Sequence, residues 1–398
     1  MAREIYSGER ILNILVIGNG FDIAHGLKTS YRDFLRFVEE FREYHKAKSN
    51  QAEIGRNDGE DMSYLKWLVQ VFKEADKNEI YKEFVAEFHI LVKDNLWLKH
   101  FNEVQIADGW VDFEKEISRI IRTIDTSVNE KNVPIDKNTG NFNSNLEADI
   151  FEFIRPYFEG QSEAEGRKKV DELKSKLLCD LNKLTRALEM YLSFYIEDDN
   201  NPEPIQVIHN LRIDHVLSFN YTSTFETVYG KNTDNIEYDY IHGRAKKTGG
   251  VHNCNLVLGI DEYQRGDERD VDNHFIEFKK FYQRIFKRTG SEYKQWLASY
   301  KEQLERTPRV KHEKIQIYFY GHSLDVTDKD ILRDLIQQQY AQITIFYHDR
   351  NALAQQISNL VKVLSEKELI EKTGGCSPSI IFKTIGKDEF DTLNTVKV

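Results

Sequence analysis

The spacing of apolar residues gives the first elements. Ile11 to Ile17 is a short, mostly apolar run with β-branched side chains, bounded by Gly18-Asn19-Gly20. A run of this length next to glycine predicts a strand buried on both faces that ends in a tight turn. A helix should follow: Thr29 or Ser30 can cap it, Asp33 lies in its first turn, and Phe34, Phe37, Val38 and Phe41 recur at helical spacing. From about Arg42 to Leu211 the text is helical and charged, with polar breaks near Lys48 to Glu60, Asn129 to Asn145 and Glu197 to Pro204. Within it, Glu163 to Tyr195 puts Val170, Leu173, Leu177, Leu181, Leu184 and Leu188 on one face, a stripe that should pack against the sheet or a neighbouring helix.

Strand-like runs then return at Ile213 to Phe219, Ile236 to Ile241, Leu256 to Leu258, Ile315 to Tyr320, Ile343 to Tyr347 and Ile380 to Thr384. Helices separate several of them, and strand, crossover helix, strand is the pattern of a parallel sheet. A charged, aromatic helical insert from Tyr263 to Arg306 interrupts the order, with Phe275, Phe278, Tyr282 and Ile285 expected on one packing face. The expected fold class is α/β: a Rossmann-like, mostly parallel sheet with large helical insertions. Residues 1–41 and 205–398 would form a discontinuous nucleotide-binding core, 42–204 one helical insertion, and 263–306 a second insertion within the core.

Composition narrows the class. At 398 residues, 40% hydrophobic and 30% charged, the chain can bury a full core. Met1 to Arg10 carries Arg3, Glu4, Glu9 and Arg10 where a signal peptide needs an apolar stretch, and no run approaches the roughly 18 apolar residues of a membrane span. Three scattered cysteines, Cys179, Cys254 and Cys376, suit a reducing compartment, and the expected location is the cytoplasm with no membrane partner. A net charge of −11 disfavours nucleic acid as a partner, although Glu277 to Lys314 holds 11 Lys/Arg against 5 Asp/Glu. That stretch reads as a solvated helix face.

Four strand ends carry candidate chemistry. In Gly18-Asn19-Gly20-Phe21-Asp22, glycines after a strand let the backbone approach a phosphate held by N–H groups at a helix start. The full dinucleotide fingerprint would place a third glycine where Ile23 stands, so a plain tight turn is the alternative. Leu217-Ser218-Phe219-Asn220 delivers an amide at a strand end, with capping of the next helix, Thr222 to Tyr229, as its alternative. Tyr240-Ile241-His242-Gly243 delivers an imidazole. Tyr318-Phe319-Tyr320-Gly321-His322-Ser323 runs into a turn followed by Asp325, Thr327 and Asp328, which open a helix. In a parallel sheet four such ends converge on one crevice. No metal site is expected, because no ligand cluster stands out.

The stretch from Ile17 to Leu27, with Thr29-Ser30-Tyr31 and Asp33-Phe34, resembles the opening signature of the AbiH family of bacterial abortive-infection proteins. Trp110, Asp112, Glu114, Asn220-Tyr221-Thr222, His242-Gly243, Leu258-Gly259-Ile260-Asp261 and Gly321-His322-Ser323 continue the likeness in order. The same landmarks are similar, more distantly, to the sirtuin-like NAD-binding fold. That resemblance implies a phage-defence NAD hydrolase that breaks the nicotinamide–ribose bond. Asn220 and His242 would flank the reacting ribose as the catalytic pair. Gly18, Asn19, Gly20, Phe21 and Asp22 would hold the pyrophosphate, and Gly321, His322 and Ser323 the adenosine end. NAD would be substrate rather than resident cofactor, the expected protein partner is a second copy of the chain or a partner defence protein, and a lid or an oligomeric switch built from the helical inserts, Arg42 to Leu211 or Tyr263 to Arg306, would restrain activity. Two departures stand out: Thr222 replaces the aspartate that commonly follows the asparagine by two residues, and the zinc cysteines of the protein deacylases are missing. The rival reading from another class is a nucleotide-binding sensor or interaction protein of a defence system that hydrolyses nothing.

Overall fold

A computed structural model of the chain describes residues 12–50, 62–108, 112–129, 148–154, 163–198, 202–230, 235–260, 275–306 and 315–385. Trp110, Asp261 and the first part of the expected second insert, 263–274, lie outside the described residues. The chain divides into two compact units, Met1–Leu27, Asn201–Gly243 and Thr289–Val398 forming the first, Lys28–Asn200 and Arg244–Arg288 the second. The helix Tyr31–Ser49 thus groups with the second unit, and the helix Glu292–Arg306 with the first.

Among the described residues the first unit holds six strands: β1 (Asn13–Ile17), β2 (His215–Ser218), β3 (Glu237–Tyr240), β4 (Ile315–Tyr320), β5 (Ala341–Tyr347) and β6 (Ile380–Thr384). Their order is β3-β2-β1-β4-β5-β6 and every pairing is parallel. This is the doubly wound α/β order, in which the chain reverses direction across the sheet between β1 and β4. All five residues of β1 are buried, as a central strand covered on both faces requires. Successive side chains go to opposite faces. Ile14 and Val16 join Leu217, Ile317, Phe319 and Ile343 in a core with Trp296, Leu335 and Leu360, whereas Leu15 and Ile17 join Phe21, Val216, Phe225 and Phe346 in the other.

The second unit is helical. Ser30, not Thr29, caps Tyr31–Ser49: its Oγ accepts from the Asp33 N–H at 3.2 Å while the Asp33 carboxylate accepts from the Ser30 N–H at 3.3 Å. Such a reciprocal cap contributes about 1 kcal/mol. The helix Glu163–Met190 packs its buried leucines Leu173, Leu177, Leu181 and Leu184 against its neighbours, among them Glu79–Val92 and Leu96–Asp108. Its fully buried Arg186 is satisfied by Glu87, Glu189 and the carbonyls of Lys246 and Lys247.

Two expectations fail here for physical reasons. Leu256 to Leu258 is no strand, although all three residues are buried. A side chain does the work of a partner strand: Gln283 accepts from the Leu258 N–H at 3.1 Å and donates to its carbonyl at 3.0 Å, and Lys287 donates to the Leu256 carbonyl. The aromatic face of the insert is split as well. Phe275 and Phe278 are buried ahead of the helix Lys280–Lys287, but Ile285 on that helix is 74% exposed. The helix turns Lys280 and Gln283 inward instead, where Lys280 meets Glu114 at 2.8 Å.

Candidate functional site

The register of the sheet sets the site. Ile17 pairs with both Ser218 and Tyr320, and Ser218 pairs with Tyr240, so β3, β2, β1 and β4 end at one level, with neighbouring strands about 5 Å apart. Beyond that edge the chain continues as Ile241-His242, Phe219-Asn220, Gly18-Asn19 and Gly321-His322. Asn220 and His242 occupy equivalent positions on adjacent strands, each two residues past the Ser218/Tyr240 pair.

At the chain reversal between β1 and β4 the two turns lie backbone against backbone. The N–H of Gly18 donates to Tyr320 O (3.2 Å), that of Gly20 to Gly321 O (2.8 Å) and that of Phe21 to Gly18 O (2.8 Å). A Cβ on Gly18 would meet His322 Cα at 2.8 Å, and one on Gly20 would meet Gly321 Cα at 2.8 Å. Three N–H groups expected to face a phosphate are therefore bonded within the protein. The Phe21 ring is fully buried among His25, Phe225 and Tyr320, a core position rather than a ligand contact. Asp22 is buried and accepts from the Thr222 hydroxyl at 2.6 Å, Thr224 Oγ1 standing 3.1 Å behind it. The carboxylate thus meets the very position where the sequence departs from the sirtuin-like pattern. Asn19 and Ser323 are exposed, and the Ser323 carbonyl accepts from Asn359 at 2.8 Å.

His25 is structural. The Phe21 carbonyl can only accept, so His25 Nδ1 donates to it at 2.7 Å, and Nε2 accepts from the Tyr229 hydroxyl at 2.9 Å. Burial holds its pKa below the usual value, with the Phe21 bond opposing.

Asn220 is 5% exposed. Its N–H donates to Ser218 Oγ and its carbonyl accepts from the same hydroxyl, both at 3.1 Å, which fixes the main chain as it leaves β2. The capping alternative falls away, because Ser223 is the N-cap of Thr224–Tyr229. Its side-chain Nδ2 is buried with no hydrogen-bond partner. An amide donor left in that state costs about 1–3 kcal/mol, a cost that a ligand carbonyl or hydroxyl would remove.

His242, 4% exposed, places Nε2 at 3.2 Å from Asp328 Oδ1. His322 approaches the other oxygen, Nε2 to Oδ2 at 3.9 Å, while its Nδ1 accepts from the Leu324 N–H at 2.9 Å. The Phe219 ring stands edge-on to both imidazoles, with centroids at 5.5 and 4.3 Å. Asp328 arrives through a strained segment: Gly321 has φ +66° and Leu324 φ +57°. A left-handed leucine costs on the order of 1–3 kcal/mol, which full burial of its side chain, worth about 2 kcal/mol, offsets. Asp328 is the residue that sequence reasoning missed. It read only as a helix-opening acid, and its closeness to His242 is created by the pairing of distant strands. Among the described residues no group of three His, Cys, Asp or Glu side chains is placed to hold a metal ion, and no helix is long and apolar enough to cross a membrane.

A family profile described as bacteriophage abortive infection AbiH matches residues 14–349, a span that holds all four strand ends. No curated protein and no solved structure matches the chain. With a match over most of its length, the chain belongs to the AbiH family of bacteriophage abortive-infection proteins.

Proposed function

We propose that this abortive-infection protein is an NAD hydrolase that releases nicotinamide at the edge formed by β1 to β4. The observation that carries the reading is the pairing, on adjacent strands, of Asn220, whose buried Nδ2 lacks a partner, with His242.

The chemistry asks little of the protein. The ring nitrogen of NAD is cationic, so when the bond to ribose C1′ breaks, nicotinamide leaves with the electron pair as a neutral molecule and needs no general acid. Water forms the new C1′–O bond and loses one proton. A single base suffices, and an imidazole, with an ordinary pKa near 6.5, takes that proton at working pH. The Asn220 amide donates to a ribose hydroxyl or to the nicotinamide carbonyl and holds the reacting centre in place. The turns contribute less than the glycine pattern suggests. With the N–H groups of Gly18, Gly20 and Phe21 engaged, the phosphates would be held by groups other than these three, and Gly321 and Ser323 would border the adenosine end, while His322 stands beside the Asp328 carboxylate.

The sensor reading keeps one observation in its favour, the engagement of those same three N–H groups. Incubation of purified protein with NAD, with nicotinamide and ADP-ribose separated by chromatography, decides between the two. Stoichiometric release of both products supports hydrolysis, and binding without release supports the sensor.

A further inference from the structure

We infer that Asp328 is the positioning residue of the site: it shares its carboxylate between two histidines of which only His242 can take up a proton, and that proton goes to Nδ1. The inference rests on the reading of His242 as the base and goes further, to the atom that acts and the group that prepares it.

The asymmetry follows from donor and acceptor rules. A backbone N–H only donates, so the Leu324 N–H bound to His322 Nδ1 requires the lone pair on that nitrogen. His322 is then neutral with its hydrogen on Nε2, turned toward Asp328 Oδ2 at 3.9 Å, and protonation would break the Leu324 bond at a fully buried, left-handed residue. His242 meets Asp328 through Nε2 at 3.2 Å. A carboxylate oxygen only accepts, so Nε2 of His242 carries hydrogen, the neutral ring has its lone pair on Nδ1, and the next proton adds there. When it does, the imidazolium faces the Asp328 carboxylate in surroundings where both residues are about nine-tenths buried. The pair is coupled, and His322 cannot compete for the charge. Tyr221 is a further titratable side chain beside the ring, with centroids 6.4 Å apart. The Phe219 ring, edge-on to both histidines, holds them apart.

In the reaction, Nδ1 accepts the proton of the attacking water as the C1′–O bond forms, and Asp328 stabilises the resulting imidazolium without itself being protonated. Replacing Asp328 by Asn keeps the shape and removes the charge.

The test is long-range proton–nitrogen NMR on the full chain labelled in its histidines, with signals assigned by His242→Gln and His322→Gln. In the wild type we expect both rings as Nε2–H tautomers near pH 8, His242 titrating and His322 remaining neutral down to pH 5. In Asp328→Asn the His242 titration should move down by at least one pH unit, with His322 unmoved. A wild-type His242 with its hydrogen on Nδ1, or a His322 that titrates in its place, overturns the inference, and neither result depends on whether Asp328→Asn folds. In parallel, Asp328→Asn should lower kcat for nicotinamide release about 10²-fold with KM within a few fold, and displace the acid limb of the pH profile toward lower pH. An unchanged kcat and profile overturn the inference while leaving NAD hydrolysis standing. If the wild type releases no nicotinamide, hydrolysis falls, and the tautomer and titration of His242 still decide the role of Asp328.

Discussion

The contact between the β1 and β4 turns can be broken at one atom. Gly321 has φ +66°, and a Cβ built there would overlap Phe21 N and Gly20 C, backbone atoms that cannot swing aside. In Gly321→Ala three costs combine. The left-handed backbone costs alanine about 1–2 kcal/mol. The turns must separate, which breaks the Gly20 N–H bond to Gly321 O, worth about 1 kcal/mol net and more if the donor stays buried. Displacing the turn also disturbs the Phe21 ring in the second core, for about 1 kcal/mol of lost packing. The expected total is about 3–4 kcal/mol, or a fall of roughly 6–16 °C in melting temperature at about 2–4 °C per kcal/mol. Gly26 supplies the control. Its φ is +78°, but a Cβ there meets nothing within 4 Å, so Gly26→Ala carries only the same backbone cost of about 1–2 kcal/mol. Calorimetry or circular-dichroism melting of the two variants beside the wild type gives the comparison. Equal melting temperatures for the two variants would refute the claim that the glycines serve the approach of two turns.

Other outcomes follow from individual side chains. Asn220→Ala removes a buried donor without a partner, so melting temperature should hold or rise while nicotinamide release falls about 10²-fold or more; a variant that loses stability and keeps activity would contradict both halves. Burial pushes the Asp239 carboxyl up to about 6 from its ordinary 3.8, against the pull of the Tyr293 N–H at 2.9 Å. Because the folded pKa lies above the unfolded one, the stability tied to this proton is full below pH 3.8 and lost as pH rises through 6, a swing of up to about 3 kcal/mol. Asp239→Asn should flatten that decline between about pH 4 and 6.5, and parallel melting curves for variant and wild type over that range would contradict it. His25 has the opposite sign: its folded pKa is lowered from 6.5, so its contribution is full above pH 6.5 and falls in acid. His25→Asn should weaken the acid loss of stability yet leave nicotinamide release at pH 7.5 within a few fold, and a 10²-fold loss of release would make His25 part of the chemistry.

Local signals were legible and long-range ones were not. Six strand-like runs became the six strands among the described residues, most clearly β1, a central parallel strand buried along its whole length. Leu256 to Leu258 carried the same signal and formed none: among the described residues no strand pairs with it, and Gln283 engages the Leu258 backbone instead. Ser30 and Asp33 announced their cap because both halves lie within four residues. Asn220 and His242 were readable as polar strand ends, and register brought them to one level. The glycine turn was readable as a turn, but its purpose was not, because the groups it bonds, Tyr320 and Gly321, belong to β4 and the turn beyond it, far along the chain. Asp328 was hidden for the same reason: an acid at the start of a helix is ordinary until the sheet places His242 beside it.

The central claim is that nicotinamide is cut from NAD at the Asn220 and His242 strand ends. The direct measurement is nicotinamide release by the wild type and by Asn220→Ala and His242→Ala at saturating NAD, with a binding titration and a melting curve for each protein. The account predicts one nicotinamide per ADP-ribose from the wild type, and turnover lower by about 10²-fold or more in each variant, with folding intact. No release from a folded wild type that binds NAD, or wild-type turnover in both variants, would contradict it.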